Sequence, residues 1–236
     1  MRILALESSA KAASAAVSDD GMLIAFNYLN NGLTHSTTLL PLAEKALDSC
    51  GMSAADADLI AVARGPGSFT GVRIGVAAAK GLMWAAQKPC CGVSTLEAMA
   101  WQAVHMEDYL ICCVMDARRG QFYNALFTAE NGRPSRRCPD RAIDVPTLAS
   151  ELKNCEKPLI VIGDGARLCY NKLTAEGIVC RVAPENIRWQ SAYGVALAAA
   201  AAPTELWGEP EPVYMRLSQA ERERAEKEAA KAGRDR

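Results

Sequence analysis

The sequence predicts an α/β protein built as two similar lobes, and three observations carry that prediction. Short apolar runs of strand length alternate with longer segments of helical period along most of the chain. Each half opens with a strand, a tight turn and a return strand. Each half later holds a strand that ends in a glycine-containing turn before a helix, although the halves share no obvious sequence repeat. With 236 residues, half of them hydrophobic, one large or two small lobes with real cores can be built.

The elements follow in order. Residues 2–6, 13–18 and 22–28 read as strands, turned at Glu7-Ser8-Ser9 and at the hairpin signal Asp19-Asp20-Gly21. A helix starts near Thr34, a capping residue, with Leu39, Leu40, Ala43, Ala46 and Leu47 at helical spacing. Pro41 kinks this helix or marks its true start, and Gly51 closes it. Residues 59–63 form a strand into the glycine turn at 65, and a helix of small residues covers about 71–86. Pro89 and Gly92 bracket a short strand, after which Ser94 or Thr95 caps a helix to about Val104. A second unit begins near Tyr109 with strand 110–115, the turn Asp116 to Gly120 and return strand 121–127. Residues 130–141, polar with two prolines, read as loop, and 146–153 as helix. Strand 159–162 runs through Gly163-Asp164-Gly165 into a helix, and 188–202 is a last, alanine-rich helix. The division expected is 1–106 for the first lobe, with 188–202 able to pack back on it, 107–217 for the second, and a tail at 218–236. That tail holds six basic and five acidic side chains and reads as a solvated or frayed helix with pairs such as Glu223–Lys227.

Bulk composition narrows the function. A net charge of −1 gives no broad footprint for nucleic acid and no polybasic membrane signal. No apolar run reaches the ~18 residues of a membrane span, and the chain opens directly on a strand, so a soluble, cytoplasmic protein is expected. The nine cysteines include the adjacent pairs Cys90-Cys91 and Cys112-Cys113 but no Cys-x-x-Cys, which suits small core residues rather than a disulfide framework. Only two histidines exist, His35 and His105, seventy residues apart, so no metal site is expected. There is no Gly-x-Ser-x-Gly elbow.

The segment 64–82 is the most informative one. Glycines at 65, 67, 71, 75 and 81 would let a phosphate or another helix reach the backbone. The spacing matches neither a Walker A loop nor a dinucleotide fingerprint. Gly71 and Gly75 share one helix face, which Ala78 and Ala79 continue, and that favours an approaching helix. Packing inside its own domain is the plainer form of the same reading. Glu7, Asp116 and Asp164 each follow a strand, and with Gly163 and Gly165 they could ring a nucleotide cleft between the lobes; Asp116 and Asp164 are also ordinary turn residues.

Five runs then occur in a telling order: Leu4-Ala-Leu-Glu-Ser8, Thr34-His-Ser-x-x-Leu-Leu-Pro41, Arg64-Gly-Pro-Gly-Ser-Phe-Thr-Gly-Val-Arg-Ile-Gly75, Met115-Asp-Ala-Arg118 and Pro212-Val-Tyr-Met-Arg216. Over about residues 1–217 the chain resembles the TsaB (YeaZ) family of the bacterial tRNA threonylcarbamoyladenosine pathway. The resemblance implies an actin-like, two-lobed fold of the sugar kinase and Hsp70 type. It implies a part in attaching threonylcarbamoyl to the adenosine 3′ of certain tRNA anticodons, as a non-catalytic subunit. TsaD, the paralogue that carries the metal and the transfer chemistry, has Val-His-His-Met-Glu-Gly-His where this chain has Val93-Ser-Thr-Leu-Glu-Ala-Met99, so its metal histidines fall on Thr95 and Met99. The resemblance further implies TsaD as partner, TsaE bound through the TsaB–TsaD pair, a homodimer in isolation, no cofactor, and only indirect or weak contact with tRNA. The expected partner seam is the helix pair 34–50 and 71–86, through His35, Leu39, Leu40, Ala43, Val72, Arg73, Gly75, Val76, Ala79 and Lys80. A vestigial nucleotide cleft is expected at Glu7, Ser8, Asp116, Gly163, Asp164 and Gly165. Family members often carry Asp where this chain has Glu7. The alternative is an ATP-binding phosphohydrolase or phosphotransferase of the actin-like superfamily.

Overall fold

In the computed structural model, which describes residues 1–216, the first apolar runs form β1 (Arg2–Glu7), β2 (Ala13–Asp19) and β3 (Met22–Leu29), an antiparallel ribbon turned at Asp20 and Gly21. The expected tail, 218–236, lies outside the described residues. Next come α1 (His35–Ser49), β4 (Leu59–Ala63), α2 (Phe69–Ala86), β5 (Cys90–Val93) and α3 (Thr95–Trp101). β4 lies parallel to β1 and β5 parallel to β4, giving the sheet order β3-β2-β1-β4-β5.

The second half repeats this wiring. It comprises β6 (Leu110–Asp116), β7 (Gln121–Glu130), β8 (Arg133–Arg136), β9 (Arg141–Asp144), α4 (Val145–Leu152), β10 (Leu159–Ile162), α5 (Ala166–Ala175), β11 (Cys180–Val182), α6 (Glu185–Arg188) and α7 (Ala192–Ala201). Its sheet runs β8-β7-β6-β10-β11, with β9 also paired to β7. In both sheets an antiparallel three-strand ribbon is followed by two parallel strands added on the other side of its first strand.

Three helical layers cover the sheets. α1 and α2 cover the outer face of the first, where Leu39, Leu47, Val72 and Val76 meet Leu4, Leu6, Val17 and Ile60. α4 and α5 cover the outer face of the second, where Leu148, Leu152 and Leu173 meet Val114 and Val161. Between the sheets lie α3 and α7. Leu96, Met99 and Ala100 of α3 pack on Ile111, Phe127 and Ile162, while Val195, Ala196 and Ala199 of α7 pack on Ile3, Ala5 and Ala61. α7 therefore returns to the first lobe although it follows the second in sequence. The two helices touch closely: a Cβ at Gly194 would lie 2.2 Å from the Ala98 carbonyl oxygen. Each large side chain so buried contributes about 1.5–3 kcal/mol before the entropy of ordering is set against it.

Two expectations need correction, and one strand was missed. Residues 130–141 are not loop throughout, because β8 and the start of β9 lie there. Pro134 is tolerated because β8 is an edge strand, where a missing N–H need not break a ladder. The last helix does not run unbroken from 188: α6 ends at Arg188, and Ser191 starts α7 by accepting the Tyr193 N–H at 3.1 Å. β11, three residues long, is too short to carry a readable period.

The cysteines are free thiols; Cys90, Cys91, Cys112, Cys113, Cys169 and Cys180 are buried. Burial pushes the Cys90 thiol up to about 12 and the Cys91 thiol up to about 11, as suits unreactive packing residues. No helix among the described residues is long and apolar enough to cross a membrane.

Candidate functional site

The site begins where α2 meets the turn between β1 and β2. Ser68 caps α2, its hydroxyl accepting the Gly71 N–H at 3.3 Å, and its own N–H donates to the Ser9 carbonyl at 2.7 Å. The Ser8 hydroxyl donates to the Gly71 carbonyl at 2.9 Å. A Cβ at Gly67 would sit 2.4 Å from the Ser9 carbonyl oxygen, one at Gly71 2.1 Å from the Ser8 carbonyl oxygen, and one at Gly75 2.5 Å from the Ser8 hydroxyl. The inward glycine face thus admits the chain's own Ser8-Ser9 turn, not a partner helix. Gly75 is accordingly removed from the expected seam.

Above this turn a cavity of about 450 Å³ opens between the lobes. Its walls include Ser9, Lys11, Ser68, Phe69, Asp116, Arg118, Tyr123, Asp164, Tyr214 and Arg216. Asp116 and Asp164 both line it. Asp116 also does turn work, accepting the Arg118 N–H at 2.8 Å. Asp164 accepts the Gln190 side-chain N–H at 2.9 Å, and burial raises its carboxyl above the ordinary range. Gly163 and Gly165 do not line the cavity; they bring the turn after β10 against β6, where a Cβ would lie 2.0 Å from the Val114 carbonyl oxygen and 2.9 Å from the Asp116 nitrogen.

Glu7 and Ser8 lie beneath the cavity, both buried. Glu7 Oε1 accepts the Ser9 N–H at 2.6 Å, while Oε2 is buried without a partner. Burial drives this carboxyl up to about 7; hydrogen bonds from Ser9 oppose the shift, and the nearby Asp164 charge adds to it. Among the described residues no three His, Cys, Asp or Glu side chains are grouped to hold a metal ion.

Sequence reasoning gave no structural role to the segment after α7. Residues 207–216 cross both lobes as a strap. Trp207 bridges to Cys91, Lys80 Nζ meets Glu209 at 2.7 Å, and Val213 N–H donates to the Arg64 carbonyl at 2.7 Å. Tyr214 stacks on Phe69 with ring centroids 4.5 Å apart. The Arg73 guanidinium lies 3.8 Å over Phe69 and donates to the Tyr214 hydroxyl at 2.8 Å. On the second lobe Arg216 donates to the Ala117 carbonyl at 2.6 Å. Arg73 and Lys80, expected at the rim of a partner seam, are engaged by the chain itself. The signal available in sequence was Phe69 and Arg73, one helical turn apart, with the Pro-x-Tyr-x-Arg run at 212–216.

The remaining seam residues divide by helix face. Leu39, Ala43, Val72, Val76 and Ala79 are at most 3% exposed, because the apolar faces of α1 and α2 are taken by their own sheet. His35 is held inward, its Nε2 2.7 Å from the Ala10 carbonyl oxygen. Leu40 alone of the expected apolar set points outward, 48% exposed. A second small-residue stripe lies on the outer side of α2: Ile74, Ala77, Ala78, Gly81 and Ala85 are exposed or half-buried, with Trp84 beside them at 61%. A Cβ at Gly81 would meet nothing within 4 Å.

Comparison with known proteins places this arrangement. Residues 32–167 match the family of TsaD, tRNA N6-adenosine threonylcarbamoyltransferase. The tRNA threonylcarbamoyladenosine biosynthesis protein TsaB of Bacillus subtilis (strain 168) is 34% identical over 194 residues, which cover 80% of this chain and 83% of that one. The chain belongs to the TsaB family. TsaB of Escherichia coli (strain K12) is 40% identical over 134 residues, 56% of this chain and 58% of that one. Among solved structures, an uncharacterised protein with similarity to peptidase YeaZ from Pseudomonas aeruginosa superposes with a TM-score of 0.78 at 25% identity, covering 91% of this chain and 99% of that one. The two-lobed fold is of the actin-like α/β class. In this TsaB-family chain the run 93–99 forms the end of β5 and the start of α3, and Thr95 and Met99 are both fully buried.

Proposed function

We propose that the chain is a non-catalytic partner subunit of the TsaD-containing assembly that attaches threonylcarbamoyl to the adenosine 3′ of the anticodon in tRNAs. The observation that carries this reading is the interior of α3. At the positions that resemblance aligns with the metal histidines of TsaD stand Thr95 and Met99, neither of which lines the cavity, and Met99 is packed among Leu96, Ile111 and Ile162. A thioether and a hydroxyl so placed do not make a hydrolytic metal centre.

The contact with TsaD runs over the outer faces of α1 and α2, through Leu40, Ile74, Ala77, Gly81 and Trp84. Small residues there let a facing helix come close, and an exposed tryptophan supplies an anchor. A second copy of the chain occupies the same face when TsaD is absent. TsaE joins through the TsaB–TsaD pair, tRNA contact is indirect, no cofactor is required, and the assembly works in the cytoplasm. The test is co-purification with TsaD and reconstitution of the modification with and without this chain. Loss of co-purification in Ala77→Trp and Trp84→Ala is expected; full modification without the chain, or undiminished binding by both variants, sinks the reading.

The cavity with Asp116, Asp164 and its basic rim keeps an ATP-directed phosphohydrolase as the second reading. Turnover of Mg-ATP by the isolated chain would favour it.

A further inference from the structure

We propose that the free edge of β3 is a self-association surface, on which a second copy of the chain lays its own β3 antiparallel across a two-fold axis at Asn27. This contact is separate from the helix face of α1 and α2 and does not depend on the partner reading.

β3 is the outermost strand of the first sheet and, among the described residues, pairs with β2 alone. Its other side presents backbone N–H and C=O groups, which another strand satisfies. Edges of this kind are ordinarily blunted by a charge or a proline. Here no charged residue and no proline occurs between Asp20 and His35. Met22, Ile24 and Phe26 are instead exposed, Met22 at 66%. One protective device is present, a bulge at Ile24, where the pairing with β2 shifts. It leaves residues 25–29 in regular register.

That regular segment selects the occupant. An axis at Asn27 sets Ala25 of one copy opposite Leu29 of the other, and Phe26 opposite Tyr28. Opposed residues then share a sheet face, as cross-strand pairs must. Phe26 and Tyr28 lie beside Ala16 and Ser14 on one face, and Ala25 and Leu29 beside Val17 and Ala13 on the other. The rings of Phe26 and Tyr28, 6.1 Å apart within one strand, meet their copies across the axis. No like charges are opposed, which is the condition an identical partner must meet. The strand ends are also complementary. Antiparallel pairing brings the Asp19-Asp20 end of one copy to the Asn30-Asn31 end of the other, where exposed Lys11 shares a groove with Asn30. Carboxylate acceptors thus face amide and ammonium donors. The two five-stranded sheets become one continuous sheet.

Sedimentation of the full-length Ala77→Trp chain tests the edge, because that substitution obstructs the helix face on α2 and leaves β3 unaltered. A dimer is expected to form as its concentration rises. Adding Phe26→Lys should raise the dissociation constant by about tenfold or more. Amide exchange needs no β3 variant: the outward-facing amides among residues 25–29 should slow by about tenfold as the dimer forms. A monomer at every concentration overturns the proposal. So does a dimer in which those amides exchange at the monomer's rate, or one that a folded Phe26→Lys chain forms undiminished. Protection of β3 that appears only when TsaD is added gives the edge to that partner and overturns self-pairing too.

Discussion

A hydrogen atom in place of a methyl group at position 71 decides whether α2 can rest on the Ser8-Ser9 turn. The obstacle to any side chain there is a backbone oxygen at 2.1 Å, which cannot rotate away. Gly71→Ala should therefore cost about 2–4 kcal/mol, read as a lower urea midpoint. Gly81→Ala, with open space around it, should be neutral or stabilise by up to about 1 kcal/mol. Equal effects would show that the inward contact is not as drawn. Glu7 gives a pH-dependent counterpart. Its carboxyl ionises near 4.5 ordinarily and near 7 in the fold, so between those values the native state holds a proton that the unfolded chain has lost. Wild-type stability should then fall, as pH rises from about 4.5 to about 7, by up to about 3 kcal/mol relative to Glu7→Gln, and the two curves should run parallel above and below that window. The residue types at these positions were legible in the sequence, but their neighbours were not. Glycine spacing identified one small face on α2, whereas only the fold shows that Gly71 and Gly75 look inward while Ala77 and Gly81 look out.

The elements that periodicity could reach were read well: β1, β4, β6 and β10 are continuous apolar runs, and α1 shows its 3.6-residue pattern despite Pro41. What escaped were pieces whose stability comes from neighbours. β8 and β9 hold because β7 offers them a partner, and the strap has no regular structure beyond the single bridge of Trp207 to Cys91. Its hold is side-chain chemistry, chiefly Tyr214 and Arg73 on Phe69. Removing the ring with Tyr214→Ala should cost about 1–2 kcal/mol and raise the exchange rate of the Val213 amide, which depends on the strap staying seated. Unaltered exchange would mean that the Glu209 and Arg216 contacts suffice. The buried seam residues show the same limit. Leu39, Val72 and Val76 are apolar at the right spacing for a partner, but the lobe's own sheet reaches them first.

At the scale of the molecule, two sheets of identical wiring enclose α3 and α7, and that duplication was visible as the repeated order of strand, turn, return strand and glycine turn. The lobes are tied on two sides. The strap crosses at one, and at the other the Ser94 hydroxyl donates to Asp140 while Arg136 binds both Asp140 and Glu97. Arg136→Ala should loosen this tie, seen as a lower melting temperature than that of the exposed-surface control Arg133→Ala.

α7 has a consequence for how the protein is made. The inner face of the first sheet, with Ile3, Ala5 and Ala61, is finished only by residues 192–201. On a ribosome that face stays wet until almost the whole chain has emerged, so early folding cannot end with the first hundred residues. A fragment ending at 106 should be sticky and prone to aggregate, and the nascent chain should be a good client for holding chaperones until its last helix is released.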